Sequence, residues 1–167
     1  MPESKNITIA VGGNHGKYEG SKMMPLIQDY PDYIAEYNIG DSDSDFFTTI
    51  LNKSDSNIYA FFKSNVSFQE SEGLIKIAKA FAKDLNVAAV VCDGYRTKNK
   101  TKHPYYLDTN HLTNLDVNIP IFFHKNIIKS TPFRENPYQK LIEVLNVCLS
   151  QQKLIIHIAE PLIVINE

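Results

Sequence analysis

The feature that most constrains this chain is an amphipathic stretch joined directly to a wholly apolar one. Across Ser71–Leu85, the residues Leu74, Ile77, Ala78, Phe81 and Leu85 recur at three- and four-residue steps, with Lys76, Lys79 and Lys83 on other faces. That is the period of a helix with one buried stripe. Ser71 is placed to cap it, and Glu72 suits the positive end of the helix dipole. Val87–Cys92 follows at once, a continuous apolar run of the kind a strand shows when both faces are covered. The pattern then repeats. Ile119–Phe123 reads as a strand and Pro137–Gln151 as a helix carrying Leu141, Ile142, Leu145 and Leu149. Leu154–Ile158 and Leu162–Ile165 read as two further strands. Upstream, Ile7–Val11 and Asn57–Lys63 have the β-branched and aromatic content of strands, and Pro31 restricts Leu26–Tyr37 to a short helix starting at Asp29 or Asp32. The expected fold is α/β and three-layer: a mostly parallel central sheet with helices on both faces, and an antiparallel edge strand after Glu160-Pro161. Residues 1–167 form a single domain in this reading.

Composition narrows function less than fold. A formal net charge of −2 supplies no global attraction to nucleic acid or anionic membrane, so any such contact must be local. The two cysteines, Cys92 and Cys148, sit inside apolar runs, where cysteine acts as a small buried hydrophobe; neither a disulfide framework nor a zinc site is expected. Asp41-Ser42-Asp43-Ser44-Asp45 invites a calcium loop, but Phe46 stands where that loop needs glycine and Asn52 where it closes with glutamate. No cofactor is expected. The polar start Met1–Lys5 and the lack of a long apolar run point to a cytoplasmic protein without a membrane partner.

In an open α/β sheet, ligands bind beyond the carboxyl ends of the strands. Gly12-Gly13-Asn14-His15-Gly16 follows the first expected strand; its glycines admit a close backbone approach, and exposed amides cradle anions. It matches neither the dinucleotide fingerprint nor the phosphate loop. Asp93-Gly94-Tyr95-Arg96 leaves the strand Val87–Cys92, with Asp93 placed as a general base or ligand anchor and Arg96 as an anion partner, although Asp-Gly is also a common turn. Arg96, Lys98, Lys100 and Lys102 alternate, so an extended chain places them on one side; His103 follows. This stretch, 96–103, is the one route to nucleic acid, against the plainer reading of a solvated loop. Tyr105 to His111 adds two tyrosines for stacking and Asp108 to orient His111 as a base. His124 ends a strand and is available to join them. His157 lies within one and reads as a hydrogen-bonded core or edge residue.

Gly40-Asp41-Ser42 together with Asp108-Thr109-Asn110-His111 resembles the first and last blocks of the SGNH hydrolases and acyltransferases. That resemblance implies Ser42 as nucleophile and His111 as its base, but the Gly-x-Asn block expected between them is missing. A colinear likeness to bacterial peptidyl-tRNA hydrolases runs from Val11-Gly12-Gly13-Asn14 through Ala89–Asp93 to Asn110–Asn114 and implies Asn14 and Asp93 at the site. There the family's histidine is replaced by Ser21-Lys22-Met23-Met24. Neither likeness amounts to membership.

The function expected is a small hydrolase or transferase acting on a phosphate-bearing or nucleotide-like substrate. Asp93, Asp108 and His111 are its catalytic group, and Asn14, His15, Tyr95 and Arg96 its binding group. Asp93 is expected as a solvated carboxylate facing a common cleft with His111 and Gly12–Gly16. The alternative is a non-catalytic binding or inhibitory protein of phage, immunity or effector type, using the tyrosine-rich, basic surface to hold a protein partner.

Overall fold

The computed structural model describes residues 7–12, 33–39, 57–63, 66–70, 72–107, 119–130 and 137–166. Among these, eight strands form one sheet: β1 (Ile7–Gly12), β2 (Tyr33–Ile39), β3 (Ile58–Lys63), β4 (Val66–Phe68), β5 (Val87–Lys98), β6 (Thr101–Tyr105), β7 (Phe122–His124) and β8 (Leu154–Asn166). Three helices accompany them: α1 (Gly73–Ala82), α2 (Lys125–Ser130) and α3 (Pro137–Ser150). The strand order is β2-β1-β3-β7-β5-β8-β4, with β6 paired on β5.

The sheet is mixed, which corrects the mostly parallel expectation. β1 pairs in parallel with β2 and β3, and β5 with β8, whereas β7 lies antiparallel between β3 and β5. β4 and β6 are antiparallel to β8 and β5. Consequently β1, β2, β3, β5 and β8 all point one way, and β7, β4 and β6 the other. The antiparallel strand at the end of the order is β4, not the C-terminal segment. Leu154–Ile158 and Leu162–Ile165 are instead one strand, interrupted where the register steps from Cys92–Ile158 to Asp93–Pro161. Proline has no N–H to give a ladder, and a bulge is where a strand tolerates it.

The amphipathic helix forms where its spacing places it, but shorter. Leu74, Ile77, Ala80 and Phe81 are buried against β5 and β8. Each fully buried large side chain contributes about 1.5–3 kcal/mol. Its N-cap is Glu72, which makes no side-chain capping bond, rather than Ser71. The helix closes when Lys83 N–H bonds the Ala80 carbonyl, and the Asp84 carboxylate then takes the Asn86 N–H at 2.8 Å. This turn throws Leu85 outward to 98% exposure, although its spacing belongs to the buried stripe. At the end of α3, Gln152 adopts a positive φ of 54° while Lys153 N–H reaches the Cys148 carbonyl and Gln152 N–H the Leu149 carbonyl. That is a Schellman stop. The buried stripe of α3 is Val144, Leu145 and Cys148, so Leu149 faces outward; Leu141 and Ile142 lie outside the described side chains.

Two other elements depart from expectation. Tyr33–Ile39 is a strand beside β1, not a short helix. From Ala35 its period is two: Ala35, Tyr37 and Ile39 alternate with Glu36 and Asn38. The strand expected over Ile119–Phe123 pairs only from Phe122, because Pro120 cannot donate to the ladder, though Ile119 and Ile121 are still buried.

Cys92 and Cys148 are free and buried. Burial pushes the Cys92 thiol strongly up, with the Asp93 charge adding, and holds Cys148 up to about 11. A thiol raised on folding keeps its proton while the unfolded chain loses it. The associated stability is therefore intact below about pH 8.5 and is lost as pH climbs through the folded value. Neither thiol should react with a thiol-specific reagent at pH 8 until denaturant is added, after which two equivalents should titrate. Rapid labelling of the native protein would contradict this burial. No helix among the described residues is long and apolar enough to cross a membrane.

Candidate functional site

Parallel β1, β2 and β3 end together, and their connectivity makes a switch point. The chain leaves β1 for β2 on one side, then returns to place β3 on the other. Ligands of open sheets bind in the crevice outside the carboxyl ends at such a reversal. Gly12 closes β1 opposite Lys63, the last residue of β3. The loop singled out in the sequence starts at that point. Asn14, His15, Gly13 and Gly16 lie outside the described residues, as do Asp108 and His111, Ser42 and the acidic run Asp41–Asp45.

Register places Asp93 at the same level. Ala60 of β3 and Val90 of β5 both face Phe122, and Lys63 and Asp93 each lie three residues further on. With strands about 4.8 Å apart, the Asp93 backbone stands roughly 14 Å from that of Gly12. The strand does not end there. β5 runs on to Lys98, so Asp93-Gly94 is mid-strand rather than a turn.

Asp93 is 4% exposed, which overturns the expectation of a solvated cleft carboxylate. Its Oδ1 accepts the Leu107 N–H at 2.9 Å and lies 2.7 Å from His157 Nε2. Both partners are drawn in by the fold. The bulge at Pro161 opens the β5–β8 register beside Asp93, and the Thr101–Tyr105 strand returns Leu107 to the same place. The carboxylate thus ties three segments together: β5, β8 and the chain leading to Asp108. His157 is the hydrogen-bonded strand histidine its apolar neighbours imply. Leu107 carries no sequence signal for this role, because the contact is through its backbone.

Tyr95 and Arg96 are brought to opposite faces of a hairpin. Asn99 and Lys100, at φ 52° and 63°, form its two-residue turn, the type I′ geometry that matches strand twist. Opposed residues share a face, so Arg96 goes with His103 and Lys98 with Thr101, while Thr97 goes with Lys102. The expectation that four alternating cations share one side therefore fails at Lys102, because the turn reverses the chain between Lys98 and Lys102. Arg96 stacks over the Tyr105 ring at 5.5 Å. Lys102 lies over Tyr95 at 5.7 Å and donates to Gln69 at 3.0 Å. His124 ends β7 and accepts the Asn126 N–H at 3.2 Å, a local cap at the start of α2.

A cavity of about 240 Å³ that the sequence did not signal opens between the start of α1, Tyr95 and the β8 bulge. Its polar lining includes Glu70, Glu72, Lys76 and Glu160, and Lys76 is ion-paired with Glu160. Among the described residues, no group of three or more histidine, cysteine or carboxylate side chains is arranged to hold a metal ion.

No protein-family model and no curated protein sequence matches the chain. Solved structures do. A mannosyltransferase from Pyrobaculum calidifontis, in complex with GDP-Man and Mn2+, superposes with a TM-score of 0.57 at 11% identity, over 97% of this chain and 56% of that one. The chain thus spans a little over half the length of that enzyme. Glucosyl-3-phosphoglycerate synthase from Mycobacterium tuberculosis, in complex with Mg2+ and uridine-diphosphate, gives 0.60 at 9% identity over 97% and 70%. The 4-diphosphocytidyl-2C-methyl-D-erythritol synthase of Anaerococcus prevotii gives 0.51 at 10% over 93% and 87%. At these identities the likeness is one of fold alone: a mixed sheet with helices.

Proposed function

We propose that this protein is a nucleotide-binding transferase whose phosphate-bearing donor sits at the carboxyl ends of β1 and β3. The observation that carries the reading is that Gly12 closes β1 at the switch point, the place where open sheets bind ligands; in sequence it is followed by Gly13-Asn14-His15-Gly16. Backbone amides of Gly12–Gly16 cradle the phosphates in this reading, and Asn14 and His15 fix the rest of the donor. His111, oriented by Asp108, is the proposed base for the acceptor, and Asp93 acts by positioning the segment that carries them. Helices covering both faces in three layers complete the proposed architecture, and free buried thiols suit a cytoplasmic setting. Two of the similar enzymes are described with Mn2+ or Mg2+. Among the described residues, no cluster of histidine, cysteine or carboxylate side chains fits such an ion.

Saturating ligand stabilises by mass action, by about 2.7 kcal/mol at a hundred times Kd. For a chain of this size that raises Tm by roughly 5–10 °C. UDP, GDP or CTP should produce such a shift with and without added Mg2+, and His15→Ala with Gly13→Val should abolish it. Millimolar nucleotides leaving Tm unchanged would remove the basis for the proposal. One observation favours the binding-protein alternative: Asp93, the best-placed carboxylate in the sequence, is taken up inside the fold. Nucleotide binding without turnover of any nucleotide sugar would decide for it.

A further inference from the structure

The geometry points to the β5–β6 hairpin as a docking ribbon for single-stranded nucleic acid. In the sequence the stretch is compatible with a mobile basic loop; in the structure it is a regular antiparallel ribbon, so its charges stand at fixed positions. Arg96 and Lys98 occupy one face, about 7 Å apart at strand spacing, with His103 directly across from Arg96. Lys98, Lys100, Thr101 and His103 are all exposed. Between Asp93 and Asp108 the chain has no carboxylate to offset them. The Arg96 guanidinium carbon lies 5.5 Å from the Tyr105 ring centroid, a contact that restrains a group whose fork of donors matches phosphate oxygens.

Lys100 adds an independent argument. It sits at the apex with φ 63°, a backbone region that glycine enters freely and other L-residues enter at a cost of roughly 1–2 kcal/mol. Glycine is the residue this turn favours. A lysine there sacrifices fold stability and places a cation at the tip, as strain at a working surface does.

The partner follows from what the ribbon displays. A row of cations along an extended strand tracks a phosphate backbone, and exposed aromatic side chains stack on unpaired bases. Tyr106, directly after β6, is 79% exposed. A bilayer fits less well: the tip is Asn99-Lys100, with no apolar residue to enter the acyl region. β5 ends at Lys98, five residues and roughly 16 Å along the strand from Asp93, and the tip Asn99-Lys100 lies beyond it, so this surface is distinct from the proposed nucleotide crevice.

The test is fluorescence anisotropy of a labelled poly-dT oligonucleotide against the full chain across a salt series. Three to four phosphate contacts should give a log–log salt slope of about −2 to −3. The Lys98→Gln/Lys100→Gly pair should bind about tenfold more weakly and flatten the slope by about 1.4. Because glycine relieves the positive φ, that variant should fold at least as well, and its loss then reads on charge alone. Tyr106→Ala should weaken binding by about tenfold with the slope unchanged. Millimolar UDP or GDP should leave the oligonucleotide bound, which separates this surface from the nucleotide site. The inference is overturned by absence of binding at low salt, by wild-type affinity in the double variant, by competition from free nucleotide, or by binding to phosphatidylserine vesicles but not to the oligonucleotide.

Discussion

Gly94→Ala is expected to cost about 3 kcal/mol of stability, at the upper end of what overpacking a closed core does. A Cβ built on Gly94 would stand 2.4 Å from the Ile163 carbonyl oxygen and 2.6 Å from the Tyr105 hydroxyl. No real Cβ keeps such contacts. The tyrosine can swing aside, but the carbonyl belongs to β8, in register with Gly94, and moves only with the parallel ladder. The double change Gly94→Ala/Tyr105→Ala should therefore recover only part of the loss. Urea unfolding measures both variants. Wild-type stability in Gly94→Ala would show that β5 and β8 are not packed as described.

That glycine also marks where local sequence reasoning stops. Asp-Gly after an apolar run signals a turn, yet here the glycine is kept because the Ile163 carbonyl and the Tyr105 ring converge on it. The elements that were legible have a long, unambiguous period: α1 from its buried stripe, and β1, β3 and the first half of β5 from their apolar runs. Their ends were less legible. Leu85 fits the helical stripe but falls after a turn set by Asp84, and Ala159-Glu160 looked like a break between strands but is a bulge inside one. β2 was not legible because Pro31 and the acids before Tyr33 suggest a helix start, and Ile34 confines the two-residue alternation to Ala35–Ile39. The direction of β7 could not be read at all, since three paired residues between two long connections carry no signal of polarity.

The site divides the same way. Topology puts the end of β1, at Gly12, at the switch point, while the residues after it that residue types single out, Gly13–Gly16, lie outside the described residues. Asp93 was readable as important but not for its reason. An acidic residue beyond an apolar run reads as a strand-end carboxylate, and only the continuation of β5, with the return of Leu107, reveals an internal tie. Its partner His157 stands 64 positions away, a separation that no local pattern spans.

Asp93→Ala should destabilise the protein by about 2–4 kcal/mol, whereas a solvated cleft carboxylate would be truncated at little cost. The substitution strips two groups at once. The Leu107 N–H loses its acceptor in a buried setting, where an unsatisfied amide costs about 1–3 kcal/mol. His157, partly buried, loses the hydrogen bond its ring makes to the carboxylate. Asp93→Asn is the informative comparison. Its side-chain oxygen still accepts from Leu107 and its amide can still meet the imidazole, so the loss should be about 1 kcal/mol or less. The pair of variants thus separates a carboxylate needed for hydrogen bonding from one needed for charge. If Asp93 positions the segment entering Asp108, amide exchange at Leu107 should quicken in Asp93→Ala and stay slow in Asp93→Asn, because only the alanine removes the acceptor. Midpoints from urea titration, with Leu107 exchange followed by NMR, test both parts. Equal stability in wild type and Asp93→Ala, with Leu107 exchange unchanged, would mean that the tie between β5, β8 and the segment entering Asp108 does not hold in solution.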